Sequence, residues 1–117
     1  MIAIVDDDES IRDALKGLMK VAGYRTMAFA SAEDFLNSGE QEQIGCLIAD
    51  IRLPGMSGLD LQSKLNKGHH RIPTIFITAH GEEKMRMQAL RAGGVEFLTK
   101  PFDDTALLEH VRAAFDE

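Results

Sequence analysis

IAIVDDDES, residues 2–10, runs from four apolar, largely β-branched residues straight into three consecutive carboxylates, Asp6, Asp7 and Asp8. The apolar part reads as a buried strand, 2–6, of the kind found in parallel sheets with both faces covered. The remainder of the chain repeats this beginning. From Ile11 the positions Ile11, Leu15, Leu18, Met19 and Ala22 keep helical spacing until Gly23 stops the helix. YRTMAFA (24–30) reads as a second strand, and SAED (31–34) has the form of a capping box. The short helix it starts is expected to run through Leu36 and to close at Asn37-Ser38-Gly39. CLIAD (46–50) is a third strand that again ends in a carboxylate, Asp50, and after the Pro54-Gly55 turn a helix carries Leu61 and Leu65. PTIFITA (73–79) and VEFLTK (95–100) are the fourth and fifth strands. Between them lies a helix over 82–94 with Met85, Ala89 and Ala92 inward. Asp103 or Asp104 caps a last helix bearing Leu107, Leu108, Val111 and Phe115.

Five βα units in strict alternation imply a parallel sheet with helices on both faces, a three-layer α/β sandwich over residues 1–117. Periodicity leaves the strand order open. In open sheets of this kind a ligand lies beyond the carboxyl ends of the strands, where the order switches. Asp6, Asp7 and Asp8 stand at such ends, as do Asp50, Thr78 and Lys100.

Composition narrows the functional classes. At 117 residues, 44% hydrophobic and 27% charged, the chain has the make-up of one ordinary globular domain. A formal net charge of -6 argues against nucleic acid as this domain's own ligand. The single Cys46 can form no internal disulfide and reads as a core hydrophobe. No export signal precedes the first strand, which makes the cytoplasm the expected location, and no apolar run approaches the ~18 residues of a membrane span.

Asp6, Asp7 and Asp50 would share one sheet edge. Two carboxylates about 4 Å apart repel by roughly 4 kcal/mol at an effective dielectric near 20, so either a proton or a cation must offset them. An all-oxygen set without Cys or His suits a hard ion, Mg2+ best. Lys100 adds an ammonium and Thr78 a hydroxyl, and a metal, an ammonium and a hydroxyl around one carboxylate form a cradle for phosphoryl transfer. Asp50 would be the nucleophile. Asp8 reads instead as a helix N-cap. His69 and His70 lie in a loop without acidic neighbours and read as a solvated face.

VDDD (5–8), ADIRLPGMSGLDL (49–61), FITAH (76–80) and FLTKPF (97–102), in this order and each at a strand end, resemble the receiver domain of two-component response regulators, most of all the FixJ-type transcriptional regulators. The resemblance spans essentially the whole chain. It implies a flavodoxin-like sheet of order 2-1-3-4-5 with five helices, and phosphorylation of Asp50 by a sensor histidine kinase. Asp6 and Asp7 match the acidic pair that holds Mg2+, with Asp7 as direct ligand and the main-chain carbonyl of Arg52 as another. Thr78 and Lys100 match the groups that contact the phosphoryl, the Lys100–Pro101 bond is expected to be cis, and Phe97 matches the switch aromatic. Arg52 and His80 occupy positions that tune phosphoryl loss. The responding surface comprises the fourth helix, fifth strand and fifth helix, here with Met87, Arg91, Phe97 and His110. The resemblance further implies a phosphorylation-dependent homodimer, control of transcription, and contact with DNA only through an output domain that residues 1–117 do not contain. Such a domain catalyses only its own phosphorylation and dephosphorylation and is not a turnover enzyme.

Other classes fit less well. A haloacid-dehalogenase-type phosphatase places a second Asp two residues after its nucleophile, where this chain has Arg52. An FMN binder needs a hydroxyl- and Gly-rich loop after the first strand, where three aspartates would repel the phosphate. The P-loop pattern is absent. A phosphorylation-independent interaction module of the same fold remains the alternative, with Asp50, Thr78 and Lys100 arguing against it.

Overall fold

The computed structural model describes residues 1–68, 70–78, 87, 91, 96–100 and 103–115. Five strands, β1 (Ile2–Val5), β2 (Thr26–Phe29), β3 (Cys46–Asp50), β4 (Thr74–Thr78) and β5 (Glu96–Thr99), form one sheet of order β2-β1-β3-β4-β5. Every pairing is parallel, and the register sets Val5 beside Ala49 and Asp50 beside Ile77. The carboxyl ends of β1, β3 and β4 therefore converge.

The strand period of two sorts the core into two layers. Ile2, Ile4, Cys46, Ile48, Ile75 and Ile77 face one side, where Leu15 and Met19 of α1 (Glu9–Val21) and Leu107 and Val111 of the C-terminal helix (Asp104–Phe115) cover them. Ala3, Val5, Leu47, Ala49 and Phe76 face the other, against Phe35 of α2 (Ala32–Ser38) and Leu61 and Leu65 of α3 (Gly58–Lys67). This is the α/β sandwich that the alternation of elements implies, with the flavodoxin-like strand order that the resemblance implies. The helix expected over 82–94 lies outside the described residues apart from Met87 and Arg91, both helical and exposed. Met85, Ala89, Ala92, His69, His80 and Pro101 also lie outside them, and with Pro101 the expected cis bond.

Element ends follow local hydrogen bonding, and several differ from the pattern reading. Asp8 caps α1 by accepting from the Ser10 amide, as its N-cap reading implies, and the helix begins at Glu9. Ala22 is the exposed C-cap of that helix and no part of the core. β2 is the short edge strand 26–29 and not 24–30; its residues are half-buried because only one neighbour covers it. α2 continues two residues past Leu36: the Ser38 hydroxyl donates to the Phe35 carbonyl at 2.6 Å, and Gly39, at φ 72°, supplies the left-handed stop. Ser31 accepts from the Asp34 amide, as its capping form implies. The reciprocal capping box sits instead at α3, where Ser57 accepts from the Asp60 amide and Asp60 accepts from the Ser57 amide. Among the described residues no helix is long and apolar enough to cross a membrane.

Cys46 lies in the fully buried part of β3, and burial pushes its thiol up to about 12. Since the thiolate is the reactive form, the native chain is expected to resist a disulfide reagent at pH 8. One thiol equivalent should react on unfolding in urea. Fast titration of the native chain would contradict the burial.

Candidate functional site

Asp6 follows β1 immediately, and its amide still donates to the Phe29 carbonyl of the neighbouring strand at 3.1 Å. That bond carries the sheet pairing one residue past the strand and leaves the Asp6 side chain fully buried. Asp50 closes β3 and is 7% exposed, while Asp7 stands in the open beside them. Carboxylate oxygens of Asp6, Asp7 and Asp50 all fall within 4.8 Å of one another.

The two inner carboxylates are held in the same way. Asp6 Oδ1 accepts from the Asp8 amide at 2.9 Å, and Asp50 Oδ1 accepts from the Arg52 amide at 2.9 Å. These are Asx-type turns two residues long, the local bond that lets an aspartate end a strand. Each carboxylate turns its second oxygen to Lys100, whose Nζ lies 3.1 Å from Asp6 Oδ2 and 2.9 Å from Asp50 Oδ2. The lysine reaches this point because its own amide donates to the Thr78 carbonyl at 2.7 Å, extending the β4–β5 pairing beyond Thr99. Thr78 itself is buried at the end of β4, one residue past Ile77, the partner of Asp50.

Burial pushes the Asp6 carboxyl above the ordinary carboxylate range. The Asp8 amide and the Lys100 ammonium pull it back only in part, and the Asp50 charge raises it further. Burial alone would lower Lys100, but its bonds to Asp50 and Asp6 outweigh that and raise it, so the ammonium stays charged.

The cluster fits a hard divalent cation. Its donors are all carboxylate oxygens, one of them exposed, and the main-chain carbonyl of Arg52 belongs to the loop tied to Asp50. Lys100 already shows that the cluster takes up positive charge. The pattern reading thus finds Asp6, Asp7, Asp50 and Lys100 gathered at one edge, with Thr78 at the adjoining strand end and Asp8 turned away as a cap.

Three supporting residues escaped that reading. Arg12 Nη1 donates to the main-chain carbonyl of Asp6 at 2.8 Å, placing a guanidinium behind the cluster. Glu33, from the first turn of α2, accepts from the Met56 amide at 3.3 Å and lies against Gly55, whose φ of 73° makes the turn after Pro54. Gly58 presses its backbone on the Asp50 carbonyl so closely that an added Cβ would strike it. Only this last had a signal in the sequence, a glycine in the first turn of a helix eight residues after Asp50.

Fold and site together define a flavodoxin-like α/β domain with a lysine-bridged acidic cluster at the carboxyl edge of its sheet. Residues 2–112 match the response regulator receiver domain, and the chain belongs to that family. It is 46% identical over 114 residues to the response regulator protein TmoT of Ectopseudomonas mendocina, covering 97% of this chain and 52% of TmoT. The structure of response regulator StyR superposes at a TM-score of 0.90 with 44% identity, over 97% of this chain and 57% of StyR. FixJ-N superposes at 0.89 with 36% identity, over 99% of this chain and 93% of that one. The chain spans about half the length of the curated relatives it matches.

The raised Asp6 carboxyl makes a prediction about pH. A group whose folded-state pKa is raised favours folding below its unfolded pKa, and that contribution is lost as pH rises through the folded pKa. In chelator, Asp6→Asn, which mimics the protonated form, should therefore gain stability over wild type from pH 4 to pH 7.5 in urea unfolding. A gap that stays constant or narrows would contradict the desolvation of Asp6.

Proposed function

We propose that this domain takes a phosphoryl group from the phosphohistidine of a sensor kinase onto Asp50. The observation that carries the reading is the Lys100 ammonium placed on both Asp50 and Asp6. An Asp50 oxygen attacks phosphorus, the phosphorus–nitrogen bond to the imidazole breaks, and its electron pair leaves with the ring nitrogen. Lys100 is already on the nucleophile and can transfer its bonds to the phosphoryl oxygens as they arrive. Thr78 supplies a hydroxyl to the same group from the next strand end. Asp6 and Asp7, with Asp50 and the Arg52 carbonyl, would hold Mg2+, which supplies charge neutralisation for the entering dianion. Asp8 takes no part beyond capping α1.

The modification adds roughly -1.5 to -2 charges at the end of β3. Charge of that size draws Thr78 inward and biases Phe97, on β5 beside Phe76, toward a second arrangement. The surface that reads this state includes Met87, Arg91, Phe97 and His110, and it mediates a phosphorylation-dependent homodimer. Relatives described as transcriptional regulatory proteins, FixJ of Rhizobium meliloti among them, support control of transcription as the output, through a DNA-binding part outside residues 1–117. The domain acts in the cytoplasm and catalyses only its own phosphorylation and dephosphorylation, without turnover of a separate substrate.

Incubation with acetyl phosphate and Mg2+ should add one phosphoryl mass to the chain, located at Asp50 by peptide mapping. Asp50→Asn should abolish it, and Asp7→Asn should slow labelling at least about tenfold, the scale of a lost charge-stabilising contact. Equal labelling of Asp50→Asn would refute the acceptor assignment.

A further inference from the structure

Gln62 is 3% exposed on α3, and its Oε1 is the one buried side-chain polar atom without a hydrogen-bond partner among the described residues. The other buried polar side chains are accounted for. Asp6 and Asp50 are held as described, the Thr74 hydroxyl donates to the Ile72 carbonyl at 2.9 Å, and Thr78 is partnered. Among the described residues no hydrogen bond calls for an amide at position 62. Leu61 and Leu65 cover the neighbouring core, and leucine or methionine would fill similar volume without burying an unmatched acceptor.

Its place on the helix gives the amide a meaning. Gln62 lies four residues after Gly58 and so on the same face of α3, one turn further along. Helical side chains lean back toward the preceding turn, which here is the turn whose bare glycine abuts the Asp50 carbonyl. The unmatched acceptor thus sits on the stripe of α3 whose first turn touches the end of β3 at Asp50.

We propose that Gln62 Oε1, without a partner among the described residues, is a latent acceptor supplied with a donor when the site is phosphorylated. The inference rests on the receiver reading and adds a regulatory contact on α3 to it. A ligand shifts a two-state equilibrium only by its different interaction with the two states, and a buried acceptor filled in one state alone provides such a difference. Gln62 then favours the phosphorylated arrangement and disfavours the resting one.

The test uses the acyl-phosphate mimic beryllofluoride with Mg2+ on the wild-type chain and on Gln62→Leu and Gln62→Met. In the wild type, saturation should move the Gln62 side-chain carbonyl carbon signal downfield, as a carbonyl that gains a hydrogen bond does. Both variants should resist urea better than wild type without the mimic. Each should need about 3–10-fold more beryllofluoride for half-saturation, the fold-change of one hydrogen bond. An unmoved Gln62 signal at saturation, or half-saturation within twofold in all three chains, overturns the proposal while leaving the receiver reading in place. A wild type that binds no beryllofluoride overturns both. Should the variants fail to fold, the wild-type carbonyl signal decides alone.

Discussion

One ammonium shared by two buried carboxylates is the interaction on which this site depends. Asp6 and Asp50 close adjacent strands in register, so the sheet itself forces like charges together. Removing two such groups from water costs more than isolated surface acids would ever tolerate, and the cost is met only where each lone pair finds a partner. Here each carboxylate has an amide on one oxygen and Lys100 on the other. The lysine comes from the far edge of the sheet, 94 and 50 residues from its two partners in sequence, so the site exists only when β5 has paired with β4.

The same balance bears on the proposed phosphoryl transfer. A carboxylate that is paired too well is a poor nucleophile, and one without any pairing would take up a proton in this setting. Lys100 bonds Asp50 yet remains exchangeable, because an ammonium on a flexible stem could move from the carboxylate to a phosphoryl oxygen in the proposed transfer. Asp7, exposed at the rim, would offer a further oxygen where a hydrated cation can reach it.

Much of this was legible in the residues. Carboxylates placed at strand ends, Asp6 after IAIV and Asp50 closing CLIAD, predict an acidic cluster once the elements alternate, and the cap role of Asp8 follows from the helix that begins beside it. What stayed hidden depends on side chains meeting across the fold. No local pattern announces that Glu33 reaches Met56, 23 residues away, or that Arg12 turns back onto the Asp6 carbonyl. A hydroxyl decides where α2 ends, at Ser38, and where α3 begins, at Ser57, and the apolar spacing shows neither. Gln62 carries no signal in the sequence, and only its burial on the face of Gly58 sets it apart.

The central claim is that Lys100 holds two carboxylates the fold has pressed together, in a place a divalent cation can also serve. Urea unfolding of Lys100→Met, in chelator and then in excess Mg2+, addresses it directly. Loss of the shared partner should destabilise the chain by at least about 2 kcal/mol in chelator, the scale of an uncompensated buried charge, and Mg2+ should restore more stability to the variant than it adds to wild type. A variant as stable as wild type in chelator, with an equal Mg2+ increment in both, would contradict the account.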